Sequence, residues 1–155
     1  MSIERARAHL SKWNMQDRVQ EFSVSSATVE LAAQALGVDG ARIAKSLSFK
    51  VNDKAILIIM AGDARLDNAK YKARFGTKAK MLSADEVEPM IGHAIGGVCP
   101  FGINEGVEVY LDESLRRFET VYPAAGSDNS CIALTNAELE ACSGGTWIDV
   151  CRLPS

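Results

Sequence analysis

Residues 44–60 read AKSLSFKV-ND-KAILIIM, two strand-like runs joined by a turn dipeptide. The first run alternates apolar and polar side chains, which is typical of a strand with one covered face. The second run is apolar almost throughout, which indicates a buried strand. Asn52 and Asp53, which lie between the two runs, are residues that turns prefer. The stretch therefore predicts a β-hairpin.

Shorter patterns on both sides of this hairpin predict further helices and strands. Helical periodicity predicts helices over residues 2–13, 28–36 (capped by Ser25 or Ser26) and 67–75. Two capping boxes begin a further helix each, Ser83 with Glu86 and Thr135 with Glu138. Alternation predicts further strands over residues 19–22, 107–111, 120–122, 131–134 and 147–150.

The order of these elements decides the fold class, because strands and helices do not alternate strictly. This order favours an α/β fold of the α+β type, with a mixed, strongly curved sheet or partly closed barrel of six or seven strands flanked by helices. It argues against a doubly wound nucleotide-binding sheet. No repeat or linker divides the chain, so residues 1–155 are expected to form one domain of ordinary size.

The composition is that of a globular protein that does not enter a membrane. The chain is 47% apolar and 24% charged, with a net charge of −3. No apolar run approaches the ~20 residues needed to cross a bilayer, and the N-terminus lacks the apolar core of a signal peptide. We therefore expect a cytoplasmic protein without a membrane partner.

The cysteines and histidines give no metal-site pattern. No two of Cys99, Cys131, Cys142 and Cys151 have the spacing of a zinc knuckle or a redox dithiol. The chain has only two histidines. We therefore expect four reduced thiols, and we expect neither a metal ion nor an organic cofactor.

A basic segment stands out in this acidic chain. Arginines and lysines at six positions between 65 and 80 are opposed there only by Asp67. The segment fits a solvated helix face equally well as a phosphate-contacting patch. In the second interpretation the candidate nucleic-acid-binding residues are Lys70, Lys72 and Arg74.

Lys45 lies on an unexpected face of the first strand. Residues two apart in a strand share a face, so Lys45 points the same way as Leu47, Phe49 and Val51. An unpaired charge at the end of an apolar row is costly unless it reaches water or has a function. The pattern leaves two hypotheses, a snorkelling lysine at a strand end and a lysine that points into a pocket.

The stretch from Gly96 to Gly102, GGVCPFG, cannot form ordinary helix or strand. It is either a plain turn or a preformed loop whose main-chain N–H groups contact a ligand. Because Gly96 and Gly97 have no Cβ, a ligand could approach their N–H groups closely. Pro100 stiffens the loop, which reduces the entropy lost on binding.

These motifs occur together in one known family. The segments 44–47, 62–67 with Lys70, 92–102 and 125–129, in this order and spacing, resemble the YbaK/EbsC family, the superfamily of the prolyl-tRNA synthetase editing domain and its free-standing relatives. The resemblance extends from about residue 20 to residue 151 and implies a mixed sheet with surrounding helices.

The resemblance also implies a function, hydrolysis of a mischarged aminoacyl ester on tRNA, typically tRNA for proline, without a cofactor. The 3′ end of tRNA would be the substrate partner, and prolyl-tRNA synthetase is a candidate protein partner. The implied catalytic residues are Lys45, Gly96, Gly97 and Pro100. The implied substrate-binding residues are Ser46, His93, Val98, Phe101, Gly126, Ser127 and Asn129.

The amino acid removed stays open at this point. Alanine-specific members of the family tend to carry asparagine directly after the lysine and histidine in the late loop, where this chain has Ser46 and, approximately, Ser130. Two other functions also stay open. The same pocket could belong to a non-catalytic module that binds aminoacyl-tRNA or an amino acid, or Cys99 could be the nucleophile of a small amidase or thioesterase.

Overall fold

The structure, a computed structural model, describes residues 2–154 and contains five α-helices and ten strands, several of them only two residues long. The helices are α1 (Ser2–Leu10), α2 (Val29–Leu36), α3 (Asn68–Phe75), α4 (Ala84–Ile91) and α5 (Asn136–Ser143). The strands are β1 (Gln20–Glu21), β2 (Ile43–Val51), β3 (Lys54–Ala61), β4 (Arg65–Leu66), β5 (Glu108–Asp112), β6 (Thr120–Pro123), β7 (Ser130–Cys131), β8 (Leu134–Thr135), β9 (Thr146–Ile148) and β10 (Cys151–Arg152).

The predicted hairpin is confirmed. Strands β2 and β3 pair antiparallel over eight residues, with Lys45 opposite Met60 and Phe49 opposite Ile56. Asn52 and Asp53 both adopt left-handed backbone, with φ values of 49° and 66°. This conformation matches the twist of the flanking strands, as two-residue hairpin turns require.

A six-stranded mixed sheet grows from this hairpin in the order β8-β6-β2-β3-β5-β9. The pairs β2–β3 and β6–β8 are antiparallel, and β2–β6, β3–β5 and β5–β9 are parallel. The sheet curls into a half-barrel, which confirms the predicted fold class. Two separate two-stranded ribbons, β1–β7 and β4–β10, lie outside it.

Both faces of the hairpin are covered. On the face that Lys45 shares, Phe49 packs against Tyr71 of α3 with ring centroids 5.3 Å apart. On the other face, Lys50 forms an ion pair with Glu86 of α4, and Ser48 is buried. The serine-rich face that the alternation predicts to be polar is therefore packed as well.

Local signals set most helix ends. Both predicted capping boxes are present, Ser83 with Glu86 and Thr135 with Glu138. The cap of α2 is Thr28 and neither of the predicted serines, since the Thr28 hydroxyl accepts from the Leu31 N–H at 3.1 Å. Within residues 2–154, no helix has both the length and the apolar character needed to cross a membrane.

Candidate functional site

A cavity of about 280 Å³ lies beside the outer edge of β2. Its floor is formed by consecutive residues of β2, and its walls come from the start of α2, the glycine-rich loop and the end of β6. The lining residues are Ser26, Ala27, Thr28, Val29, Ala32, Ile43, Ala44, Lys45, Ser46, Leu47, Ser48, Met81, Val87, Ile95, Gly96, Val98, Tyr122, Ala124 and Cys131. Most of this surface is apolar. The few polar groups in it are therefore the ones that would orient a bound ligand.

Lys45 lies in this cavity, half-buried and held by main-chain oxygens. Its ammonium donates to the carbonyl of Ala64 at 2.7 Å and, more weakly, to that of Gly62 at 3.4 Å. Burial lowers the pKa of Lys45, and the charge of nearby Arg65 acts in the same direction. An ammonium has three donors. Two are used by these carbonyls, which leaves one for a ligand.

The glycine-rich loop presents only part of itself to the cavity. Gly96 and Val98 line it, whereas Gly97 does not. The Gly97 N–H donates to the Ala94 carbonyl at 3.0 Å and so closes a turn inside the loop. Among the described residues, the N–H groups of Gly96 and Val98 have no such partner. The loop therefore has two unpaired N–H groups, both in residues that line the cavity.

The back of this loop packs on the second small-residue loop. A Cβ added to Gly97 would lie 2.8 Å from main-chain atoms of Gly126 and Ser127, which leaves no room for a side chain. Gly126, Ser127 and Asn129 do not line the cavity. Asn129 instead donates from its amide to the carbonyl of Phe22 at 3.0 Å. The second loop thus supports the first one from behind.

His93, Cys99 and Phe101 form a separate buried cluster, and all three are fully buried. The Nε2 of His93 lies 2.6 Å from the Phe101 carbonyl, to which it donates. The thiol of Cys99 lies 3.6 Å from the same nitrogen. Because Nε2 carries the donated proton, it has no lone pair to accept one from the thiol. Burial raises the pKa of Cys99 to about 12 and lowers that of His93.

The remaining predicted residues lie away from the cavity. Pro100 lines a different surface depression, together with His9. On α3, the ammonium of Lys70 is 3.0 Å from the Asp149 carboxylate, and Arg74 stacks over the ring of Phe75 at 5.1 Å. Lys72 is exposed.

Sequence reasoning missed most of the walls. The start of α2, Ser48, Met81 and Tyr122 all line the cavity. The alternation of apolar and polar residues in β2 predicts that Ser48 lies on the face away from Lys45, and it does. The cavity runs along the edge of the strand, so residues of both faces line it. No motif marks the other wall residues. In the part of the chain that the structure describes, no cluster of three or more His, Cys, Asp or Glu side chains could hold a metal ion.

Comparison with known proteins gives consistent matches. Residues 24–142 match the family model described as the aminoacyl-tRNA editing domain. The chain is 55% identical over 154 residues to the uncharacterised protein YwhH of Bacillus subtilis, with 98% of each chain covered. It is 25% identical over 107 residues to a proline–tRNA ligase of Caldicellulosiruptor bescii, a match that covers 68% of this chain and 18% of that ligase. A solved structure described as a candidate trans-editing enzyme for prolyl-tRNA synthetase superimposes with a TM-score of 0.88, at 33% identity over 97% of both chains.

The buried cysteines yield a direct prediction. All four are buried, and burial raises the pKa of Cys99 to about 12, so thiolate should be scarce at neutral pH. A thiol reagent added to the native protein at pH 7 should modify none of the four within minutes, and should modify all four after unfolding in urea. Rapid modification of any thiol in the native protein would contradict this, and rapid modification of Cys99 would revive it as a nucleophile.

Proposed function

The chain belongs to the aminoacyl-tRNA editing domain family, and we propose that it hydrolyses the ester of mischarged aminoacyl-tRNA as a free-standing enzyme. The match within a proline–tRNA ligase and the likeness to a candidate trans-editing enzyme support tRNA for proline, carrying a small wrong amino acid, as the substrate. Prolyl-tRNA synthetase is then the enzyme whose errors are corrected, in the cytoplasm where translation takes place.

One observation carries this proposal. Lys45, whose ammonium keeps one free donor, lines the same cavity as Gly96 and Val98, whose N–H groups are unpaired, although these two residues lie 51 and 53 positions after the lysine in sequence. Donors that are already held in place stabilise developing negative charge without reorganising. Lys45 is fixed by the Ala64 carbonyl, and the glycine-rich loop is fixed by its own turn and by the loop behind it.

Ester hydrolysis needs no more than this. A water molecule adds to the ester carbonyl carbon, negative charge develops on the carbonyl oxygen, and the bond to the ribose oxygen breaks. The ribose oxygen leaves with a proton, and the products are the free amino acid and tRNA with a free terminal hydroxyl. Because an aminoacyl ester is already activated, positioning and charge stabilisation are the main requirements. The Lys45 ammonium binds an oxygen of the ester or the terminal phosphate, and the Gly96 and Val98 amides bind the carbonyl or the ribose.

The size of the cavity favours a small amino acid. A volume of about 280 Å³ falls just below the ~300–1,000 Å³ of ordinary ligand pockets. The side chains that wall it are mostly aliphatic, with Val29, Val87 and Ile95 among them. The apolar walls suit a short aliphatic or small polar side chain on the substrate.

Lys45→Ala tests the catalytic role. We expect kcat/KM for release of the amino acid from mischarged tRNA to fall ~100-fold or more, as loss of one preorganised charge-stabilising group does. The control is Lys54→Ala, because Lys54 is exposed at the opposite end of the same hairpin. Full activity of Lys45→Ala would remove the lysine from the mechanism. Stoichiometric binding of aminoacyl-tRNA by the wild type, without release of amino acid, would instead favour the non-catalytic binding module.

Gly96→Ala tests the loop, with Gly106→Ala as the matched control. The two glycines have φ values of 94° and 89°, so alanine strains both main chains alike, by about 1–2 kcal/mol. A Cβ at Gly106 meets nothing within 4 Å, whereas one at Gly96 would lie 3.2 Å from Asp128 Cβ and 3.7 Å from the Cβ of Ala27, which lines the cavity. Urea unfolding should show similar losses of stability, and only Gly96→Ala should lose deacylation. Equal activities would indicate a plain turn.

The tRNA backbone needs a cationic surface near the cavity, and we propose the β4–β10 ribbon for this role. Arg65 and Arg152 lie directly opposite each other in its register, and both are exposed. Neither forms an ion pair with any residue in 2–154. Like charges placed opposite one another destabilise a ribbon unless an anion lies between them. The ribbon adjoins Ala64, whose carbonyl binds Lys45.

Charge reversal distinguishes this ribbon from α3. The double variant Arg65→Glu with Arg152→Glu should weaken tRNA binding and reduce the slope of log Kd against log salt by ~1 for each lost phosphate contact. Hydrolysis of a minimal aminoacyl-adenosine ester should change little, since it lacks the tRNA backbone. Lys72→Glu is the comparison on α3. If Lys72→Glu alone lowers the slope, the helix predicted from sequence contacts tRNA and the ribbon does not.

A further inference from the structure

Strand β2 has a gap in its pairing along its outer edge. Strand β6 pairs there only through Ile43 and Ala44. The segment 80–82 pairs only further along, where the Lys50 N–H donates to the Lys80 carbonyl at 2.8 Å and the Leu82 N–H donates to the Ser48 carbonyl at 3.2 Å. The gap lies between these two contacts.

The gap leaves main-chain groups without partners. Alternate residues of a strand direct their N–H and C=O groups to the same edge. Because Ser48 and Lys50 bond to the outer segment, Ser46 also directs its groups outward. Across residues 2–154, the Ser46 N–H, the Ser46 carbonyl and the Ser48 N–H have no hydrogen-bond partner. The side-chain Oγ of Ser46 is buried and has none either.

Such a cluster is unusual, because main-chain polar groups within a sheet are almost always paired with a neighbouring strand. Ser46 and Ser48 both line the cavity described above. The cavity floor is therefore a short strip of donor, acceptor and donor, in the order in which a strand presents them to a neighbour.

We infer that this open edge binds the amino-acid part of the substrate as a single residue of an added strand. In an antiparallel pair, two facing residues exchange both of their hydrogen bonds. An aminoacyl ester offers the same two groups, N–H donors on its α-nitrogen and an acceptor on its carbonyl oxygen. The α-ammonium donates to the Ser46 carbonyl, and the ester carbonyl accepts from the Ser46 N–H.

This inference rests on the proposed function and assigns the remaining donors. With the ester carbonyl on Ser46, the Gly96 and Val98 amides are left for the ribose, and Lys45 for the ribose oxygen or terminal phosphate. Main-chain groups contact only the part that all amino acids share. Selection among amino acids then falls to the apolar walls, which meet the substrate side chain.

Amide hydrogen exchange followed by NMR tests the edge directly. The probe is 3′-deoxy-3′-(L-alanylamino)adenosine, in which an amide replaces the ester and cannot be hydrolysed readily. Saturation with this probe should slow exchange of the Ser46 and Ser48 amides at least tenfold. The Ser46 N–H gains the probe carbonyl as an acceptor, and the bound probe covers the Ser48 N–H. If the Gly96 and Val98 signals shift while the Ser46 amide exchanges as before, or if the probe fails to bind at millimolar concentration, the inference is wrong.

A pair of substitutions provides the second test. Ser46→Pro removes the N–H from an edge where it bonds to nothing in the protein, a position at which strands tolerate proline. Ser46→Ala keeps that N–H and removes only the hydroxyl. The proline variant should fall at least about tenfold below the alanine variant in kcat/KM, the effect of one hydrogen bond to the reacting group. Equal values in two folded variants would overturn the inference.

If Ser46→Pro does not fold, a main-chain ester at position 46, introduced with the α-hydroxy analogue of serine, removes the same donor without a ring. It is expected to give the same tenfold loss, and full activity would overturn the inference. Failure of the proposed function looks different. A protein that protects Ser46 on binding the probe, yet releases no amino acid from any mischarged tRNA, would retain the edge and lose the hydrolase.

Discussion

The burial of β3 is the constraint on which the rest of the structure depends. Residues 55–61 of this strand are all buried, so other elements must cover both faces of the hairpin. Helix α3 and the β4–β10 ribbon cover one face, and α4 and the glycine-rich loop lie towards the other. The outer edge of β2 has no neighbouring strand between β6 and residues 80–82. The cavity lies where the curved sheet leaves that edge without a neighbour, and the site is a consequence of how the hairpin is covered.

Lys45 connects this packing to the chemistry. It extends from the same face as buried Phe49, yet two of its three ammonium donors bind carbonyls that follow the end of β3. A lysine in this position holds the chain as it leaves the hairpin and also brings a positive charge to the cavity. Arg117 holds the same turn from outside through its ion pair with Asp63. The proposed catalytic cation is therefore held in place by main-chain carbonyls and not by a carboxylate that would neutralise it.

Local signals made the hairpin, both capping boxes and the face of Lys45 predictable from sequence. The hairpin turn depends on two adjacent residues. The face on which a strand residue lies follows directly from whether its position in the strand is odd or even. The walls of the cavity were not predictable, because Thr28, Met81 and Tyr122 come together only through the curvature of the sheet. Loop residues were the hardest to place. Gly96 and Pro100 belong to one short motif, but the chain turns between them, so one lines the cavity and the other lies at a separate depression.

The gap in β2 also bears on solubility. Exposed strand edges are templates on which other chains can form intermolecular sheets. Here the open stretch is bounded at one end by β6 and at the other by residues 80–82, and it lies at the bottom of a walled cavity. An extended polypeptide that paired with this edge would have to continue past both ends of the gap, where β6 and residues 80–82 already occupy the edge. A ligand with a single amino acid is short enough to bind within the gap. The native protein can therefore keep an unpaired strand edge without starting the intermolecular β-sheets that lead to aggregation.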